Sequence, residues 1–376
     1  MFDPTDTDVF AGDACVVTKA GKKTDGLDRF FSSLYGKPVP GLSFCALSLM
    51  SLKERRSYPI RIEQMRRTEA EKAAARSKAH TRSTRSKNTA KKGKPGRPTG
   101  SKNREKTPVV LSPELQRIHT MMQQQLTVMN GVIPLCHVVL DGHFGTNSAL
   151  HMVRGFGLHL ISKVRHDAAL YFPYEGPYVG RGPRRKYGCK LDYSHIPVKY
   201  LKRTIVEDNI QTNIYQATMW NKAFSNPLNV VILVKIHLQT QAHVHVVLFS
   251  SDRDLNDDKL IDYYSLRFQI ECNFRDAKQY WGLEDFMHVQ PTAVNNAAHL
   301  ALCMVNVAHL LLKPFRRNHP QFSILDLKAH CRGHKYVCET LTLLPQKPEP
   351  IVMAQIFDHL AKLGSVHHAS PALNMP

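Results

Sequence analysis

The sequence predicts an α/β fold: a mixed sheet with flanking helices, interrupted by a β-rich insertion. Apolar segments of strand length come first, and from residue 109 strands alternate with helical patterns, which favours an antiparallel start followed by parallel strands. Between residues 167 and 250, three strand patterns at short spacing follow an aromatic, glycine-rich stretch, which indicates the insertion. The 376 residues are 43% hydrophobic, enough for a sizeable core.

The first segment, residues 1–65, is predicted to supply three strands of the core: "DVFAGDACVVTKAG", "PVPGLSFCALSLMS" and "YPIRIEQM". Asp13 stands within the first of these strands, with apolar residues on both sides. We prefer it as a functional acid because a buried carboxylate is costly unless it is paired or binds a metal. Four other aspartates lie nearby without such flanks, namely Asp3, Asp6, Asp8 and Asp25.

Residues 66–108 are predicted to form a flexible basic insertion. Residues 66–106 contain 15 Lys and Arg against three Glu, which is more than half of the net charge of +20. The same stretch has no aromatic residue and no aliphatic residue larger than alanine, so it cannot form a core. We expect it to bind phosphates without sequence preference, with Lys94 and Arg97 of "GKPGRPTGSK" reaching a minor groove. The alternative for the individual residues is a solvated linker.

Residues 109–166 continue the core. "SPELQRIHTMMQQQLTVM" predicts a helix with Ser112 as N-cap, because a proline and a glutamate follow it. "IPLCHVVLDGHFG" predicts a buried strand that ends at Asp141 and a glycine turn. "NSALHMVRGFG" predicts a short helix that Asn147 caps, and "LHLISKVR" predicts the next strand.

The remaining segments are a β-rich insertion at 167–253, a helical end of the core at 254–315 and a helical tail at 316–376. In the insertion, "LYFPYEGPYVGRGPRRKYG" combines aromatic and basic residues, and we expect Arg184 and Arg185 to contact DNA.

The overall charge predicts a polyanionic partner. The chain has no uninterrupted run of 18 apolar residues, so no membrane contact is expected. Its acidic start, "MFDPTDTDVF", is unlike a signal peptide, and its eight scattered cysteines are typical of reduced thiols, so we expect a cytoplasmic protein. One Cys and His cluster, "HCRGHKYVC", fits no common zinc spacing.

The stretch "YYSLRFQIECNFRDAK" places four polar residues on one side of a predicted helix. Tyr264, Arg267, Glu271 and Lys278 fall within an arc of about 60° at 100° per residue. The alternative is an ordinary solvated face with ion pairs at i,i+4 spacing. We expect Arg267 and Lys278 to be free for phosphates, because the other nearby acids, Asp276 and Glu284, point elsewhere at helical spacing. The apolar residues, including Phe268, are expected to be buried.

Three carboxylates are therefore candidates for one site: Asp13, Asp141 and Glu271. Two hard cations held about 4 Å apart by such acids activate an attacking oxygen and stabilise a leaving one in phosphoryl transfer. Asp252, which also closes a predicted strand, is the alternative to Asp141. Asp141 is preferred because a helix and a strand separate it from the last acid.

Tyr264, Arg267, Glu271 and Lys278 have the spacing of the YREK signature, and the chain resembles bacterial insertion-sequence DDE transposases. "GDACVVTKAGKKTDGLDRFF" and "LDGHFG" followed by "LHLISKVR" are similar to that family's first and second aspartate segments. The resemblance covers roughly residues 9 to 310. It implies a ribonuclease H-like core and a site of Asp13, Asp141 and Glu271 that holds two Mg²⁺ or Mn²⁺ ions.

The same resemblance implies cleavage and joining of DNA at insertion-sequence ends in the bacterial cytoplasm, at the nucleoid, by a homodimer that holds two ends together. Tyr264, Arg267 and Lys278 would bind DNA. Two other interpretations remain open: an inactive or truncated remnant that only binds DNA, because just 12 residues precede Asp13, and a structure-selective nuclease of the same fold.

Overall fold

The computed structural model describes residues 9–32, 35–73, 109–178, 180, 183–346, 348–363 and 365–367. The described residues form two compact units. The first lies within Asp3–Glu271 together with Val289–Pro291, and the second lies within Cys272–His288 together with Thr292–Pro376.

Twelve strands of the described residues form one sheet in the first unit. They are β1 (Val9–Thr18), β2 (Asp28–Ser32), β3 (Lys37–Ser51), β4 (Arg56–Gln64), β5 (His137–Leu140), β6 (His159–Val164), β7 (Leu170–Pro173), β8 (Tyr187–Lys190), β9 (Leu201–Glu207), β10 (Ile210–Asn221), β11 (Leu228–His237) and β12 (His243–Ser250). Their order is β2-β3-β1-β5-β6-β12-β11-β10-β7-β8, with β4 beside β3 and β9 beside β10.

The sheet is mixed, as the sequence predicts. Strands β1, β5 and β6 run parallel to one another, while β2, β3 and β4 pair antiparallel at one side. The β-rich insertion contributes β7 to β12, which pair antiparallel and join the core where β12 meets β6. This is a ribonuclease H-like mixed sheet with a β-rich insertion, and the predicted fold class is confirmed.

Seven α-helices have both of their ends in the described residues. They are α1 (Pro113–Met129), α2 (Asn147–Gly155), α3 (Asp257–Leu266), α4 (Phe268–Trp281), α5 (Pro291–Asn318), α6 (Ile324–Thr342) and α7 (Pro350–Lys362). Ser112 caps α1 as predicted, because its side chain accepts a hydrogen bond from the backbone of Leu115. The cap of α2 is Thr146, one residue before the predicted Asn147, because its hydroxyl binds the backbone N–H of Ala149.

Residues 66–73, which the sequence assigns to the flexible insertion, pack against other residues of the first unit. Arg66 pairs with Asp25 at 2.9 Å. Glu71 accepts a hydrogen bond from Arg117 of α1 at 2.5 Å, and this contact lowers the pKa of Glu71 to about 2. The fold of the first unit therefore extends to residue 73.

The second unit has its own small core, in which Ala308 and Leu312 of α5 pack with Phe322, Ile324 and Leu327. Helix α5 is long and apolar enough to cross a membrane by length and composition, with 39% of its most apolar window buried. Core helices of soluble proteins pass the same test, so α5 is weak support for a membrane span. The interrupted apolar pattern of α5 explains why a search for unbroken runs misses it.

Candidate active site

Asp13 and Asp141 lie on neighbouring parallel strands. Strand β1 pairs with β5 so that Gly12 stands opposite Leu140, and the next residue on each strand is an aspartate. The side chain of Asp13 is 16% exposed and that of Asp141 is 40% exposed. The two acids are therefore level with each other, Asp13 within β1 and Asp141 just after the carboxyl end of β5.

The third acid comes from the helices that follow the insertion. Helix α3 ends at Leu266 and α4 begins at Phe268, so the predicted single helix is interrupted at Arg267. The backbone of Arg267 keeps helical angles, with φ −50° and ψ −33°. Helical spacing therefore continues across the break, and Glu271 stays one turn after Arg267 on the same side.

Arg267 brings the three acids together. Its Nη1 binds Oδ2 of Asp13, its Nη2 lies 2.9 Å from Oε1 of Glu271, and the same Nη2 lies 3.9 Å from Oδ1 of Asp141. We call Asp13, Asp141 and Glu271 the acid cluster. All of these contacts are made within the first unit.

Burial affects the pKa values of Asp13 and Arg267. The side chain of Arg267 is 11% exposed, and its Nε is buried without a hydrogen-bond partner among the described residues. Burial raises the pKa of Asp13, while Arg267 and the backbone N–H of Ala14 act against that rise. Burial would lower the pKa of Arg267, but the surrounding acids hold it above its usual value. The positive charge of Arg267 therefore offsets part of the cost of burying the Asp13 carboxylate.

The ligand chemistry of the acid cluster fits a divalent metal. Carboxylate oxygens are the ligands that Mg²⁺ and Mn²⁺ prefer, and the three acids already surround one cation, the guanidinium. As arranged, no group of three or more His, Cys, Asp or Glu in the described part of the chain could hold a metal ion. The carboxylates are spread around a planar guanidinium. Metal binding would therefore require Arg267 to withdraw from some of them.

Three expectations for the signature stretch are wrong. Arg267 is not free, because it pairs with the acid cluster. Lys278 is not free either: it pairs with Glu284 at 3.0 Å within the second unit. Phe268 is 57% exposed rather than buried. The i,i+4 spacing of Arg267 and Glu271 was the one sequence signal for the ion pair.

Asp252, the alternative second acid, lies elsewhere. Its Oδ2 is 3.1 Å from Nε2 of His137, the first residue of β5, whereas Asp141 follows the last. Four residues of strand correspond to about 13 Å. Asp252 therefore occupies the opposite edge of the sheet from Asp141, and the structure brings Asp141 to Arg267.

Among the other predicted DNA-binding residues, Tyr264 lies next to Arg267. The ring of Tyr264 lies 5.8 Å from the guanidinium carbon of Arg267. In the β-rich insertion, Arg184 lies over a tyrosine ring at 5.5 Å and Arg185 over another at 4.8 Å. The predicted residues of the basic insertion, Lys94 and Arg97, lie outside the described residues.

Comparison with known families identifies the class of protein. A family model described as DDE superfamily endonuclease matches residues 2–227, and the chain belongs to that family. The matched region contains Asp13 and Asp141 and ends before Glu271, so the YREK signature stays a prediction. No curated protein matches the chain. The family membership is consistent with the resemblance to DDE transposases, and it implies a nuclease with DNA as substrate.

Proposed function

We propose that this protein is a DDE transposase that cleaves and joins DNA at the ends of an insertion sequence in a divalent-metal-dependent reaction. The observation that carries the proposal is the convergence of three acids, from β1, the end of β5 and α4, on one cationic position. A structural ion pair needs one acid, whereas phosphoryl transfer by metal ions needs several.

Asp13, Asp141 and Glu271 would hold the Mg²⁺ or Mn²⁺ ions, two being expected. When bound, these ions would polarise the phosphoryl oxygens and lower the pKa of the attacking water. Cleavage forms a bond between the water oxygen and phosphorus and breaks one phosphorus–oxygen bond of the backbone. Tyr264 and a withdrawn Arg267 would contact the phosphate next to the broken bond, where added positive charge stabilises the transition state.

Other parts of the chain would hold the remaining DNA. The basic insertion would add phosphate contacts without sequence preference, and Arg184 and Arg185 would add contacts from the β-rich insertion. Lys278 would act as a further phosphate contact only after leaving Glu284. We propose a dimer that holds two ends together, acting at the nucleoid in the cytoplasm.

The test compares two labelled DNAs, one carrying the native sequence that flanks the gene and one with that sequence scrambled. A transposase cuts the native ends in Mg²⁺ and joins them to a second DNA. Equal cutting of both DNAs without joining would instead favour a structure-selective nuclease.

A second candidate function is an inactive protein that only binds DNA. The position of Arg267 favours it, because the guanidinium fills the space between the three carboxylates. The same experiment separates the two candidates: an inactive protein shifts the native DNA in a gel but leaves it uncut in both Mg²⁺ and Mn²⁺.

A further inference from the structure

Lys163 continues a row that the two aspartates begin. Strand β5 pairs with β6 so that Val139 stands opposite Ile161. Two residues further along the chain, Asp141, just past the end of β5, comes level with Lys163 of β6. Paired residues of parallel strands point to the same face of a sheet, and neighbouring strands are about 4.8 Å apart. Asp13, Asp141 and Lys163 therefore lie in one row across three adjacent strands.

The glycine turn after Asp141 is shaped around Lys163. A β-carbon at Gly142 would lie 2.8 Å from Cγ and 2.9 Å from Cε of Lys163, so the lysine side chain passes where only glycine leaves room. A β-carbon at Gly145 would lie 2.2 Å from the carbonyl oxygen of Lys163. The turn therefore packs against Lys163, whose alkyl stem lies beside Gly142, the residue after Asp141.

The charge of Lys163 has no protein partner in the described part of the chain. The residue is exposed, although it lies in a central strand between β5 and β12, and no acidic side chain of the described residues pairs with it. Asp141 turns its carboxylate toward Arg267 at 3.9 Å, and its carbonyl accepts a hydrogen bond from Ser162. An unpaired lysine whose alkyl stem passes Gly142, the residue after Asp141, suits a phosphate group.

We propose that Lys163 is a substrate-contacting residue that binds a backbone phosphate of the DNA strand being cut. This inference rests on the proposed function. Its backbone lies in a central strand, where β12 pairs it with Leu248, and its alkyl stem lies against Gly142. We therefore place the contact of Lys163 at the acid cluster itself.

The test uses Lys163→Met, which keeps the alkyl stem over Gly142 and removes the charge, with Lys163→Arg as the charge-retaining variant. Lys235→Gln is the matched control, because Lys235 is also an exposed strand lysine without an acid partner in the described residues. We expect Lys163→Met to cut native-end DNA about 10- to 100-fold more slowly, Lys163→Arg to lose less of the rate than Lys163→Met, and Lys235→Gln to cut near the wild-type rate.

A second readout is independent of cleavage. In Ca²⁺, the slope of log Kd against log salt should fall by about 0.9 for Lys163→Met, the share of one phosphate contact, and stay unchanged for Lys235→Gln. Wild-type cutting together with a wild-type slope for Lys163→Met would overturn the inference. If the wild-type protein itself does not cut, the proposed catalytic function fails, and the salt slope alone decides whether Lys163 binds DNA.

Discussion

The guanidinium of Arg267 binds the carboxylate of Asp13 across 254 residues of sequence. Asp13 lies in the middle of a core strand, and Arg267 lies at the junction of two helices. Neither group is more than 16% exposed, so each depends on the other for a compensating charge. The contact therefore connects the stability of the core to the position of a residue proposed to serve the substrate.

Replacing Arg267 by glutamine should destabilise the protein at neutral pH. The buried carboxylate of Asp13 would lose its cation, which costs about 3–5 kcal/mol for a buried pair. Added Mg²⁺ should raise the melting temperature of Arg267→Gln more than that of the wild type, because the ion would replace the missing charge. Thermal unfolding with and without Mg²⁺ measures both effects.

Lys278→Gln is the matched control for that experiment. Its pair with Glu284 is 24% and 43% exposed, and such partly exposed pairs contribute about 0–1 kcal/mol. Mg²⁺ should stabilise this variant and the wild type equally. If Arg267→Gln were as stable as Lys278→Gln, and Mg²⁺ raised both melting temperatures equally, Arg267 would not balance the charge of the acid cluster.

Deleting residues 74–106 should weaken DNA binding without changing sequence preference. The deletion begins after Glu71, whose contact with Arg117 belongs to the fold. Each lost phosphate contact reduces the slope of log Kd against log salt by about 0.9. Binding measured over a range of salt concentrations tests this, and an unchanged slope would mean that the segment is only a linker.

Asp326 should make the second unit sensitive to acid. Its buried carboxylate accepts hydrogen bonds from Ser323, Val366 and His367, and these contacts overcome the effect of burial and hold the pKa of Asp326 well below its usual range. Because the folded pKa is depressed, this stability is present above the unfolded pKa of about 4 and is lost as pH falls below it.

Asp326→Asn keeps the shape of the side chain and removes the charge. We expect it to lower the free energy of unfolding by about 2–4 kcal/mol at pH 5. The asparagine NH₂ group would face N–H groups that now donate to the carboxylate. The difference from the wild type should shrink between about pH 5 and pH 3. A difference that stays constant over this range would mean that ionisation of Asp326 contributes nothing.

The strands and two of the acids could be predicted because the signals are local. Apolar residues on both sides of Asp13 mark a core strand that contains it, and the apolar run that closes at Asp141 marks a core strand that ends there. The parallel register that sets these acids level follows once the strands are neighbours. Lys163 had a weaker signal, a single lysine in the short strand "HLISKV".

The surroundings of the signature stretch could not be predicted, because they depend on tertiary contacts. The spacing of Arg267 and Glu271 is the same for an exposed pair and for a buried one, and only the packed sheet with Asp13 decides which occurs. Lys278 reaches Glu284 because α4 ends at Trp281, so helical spacing no longer applies to the acid. Phe268 is exposed at the junction between two helices that the pattern merges into one.

The most direct test of the central claim is single-turnover cleavage of native-end DNA in Mg²⁺ by four folded proteins: wild type, Asp141→Asn, Glu271→Gln and Asp252→Asn. If the acid cluster is the active site, Asp141→Asn and Glu271→Gln bind DNA but cut it at least about 1,000-fold more slowly, while Asp252→Asn cuts near the wild-type rate. Undiminished cutting by Asp141→Asn, or an equal loss in Asp252→Asn, would show that the acid cluster is not the active site.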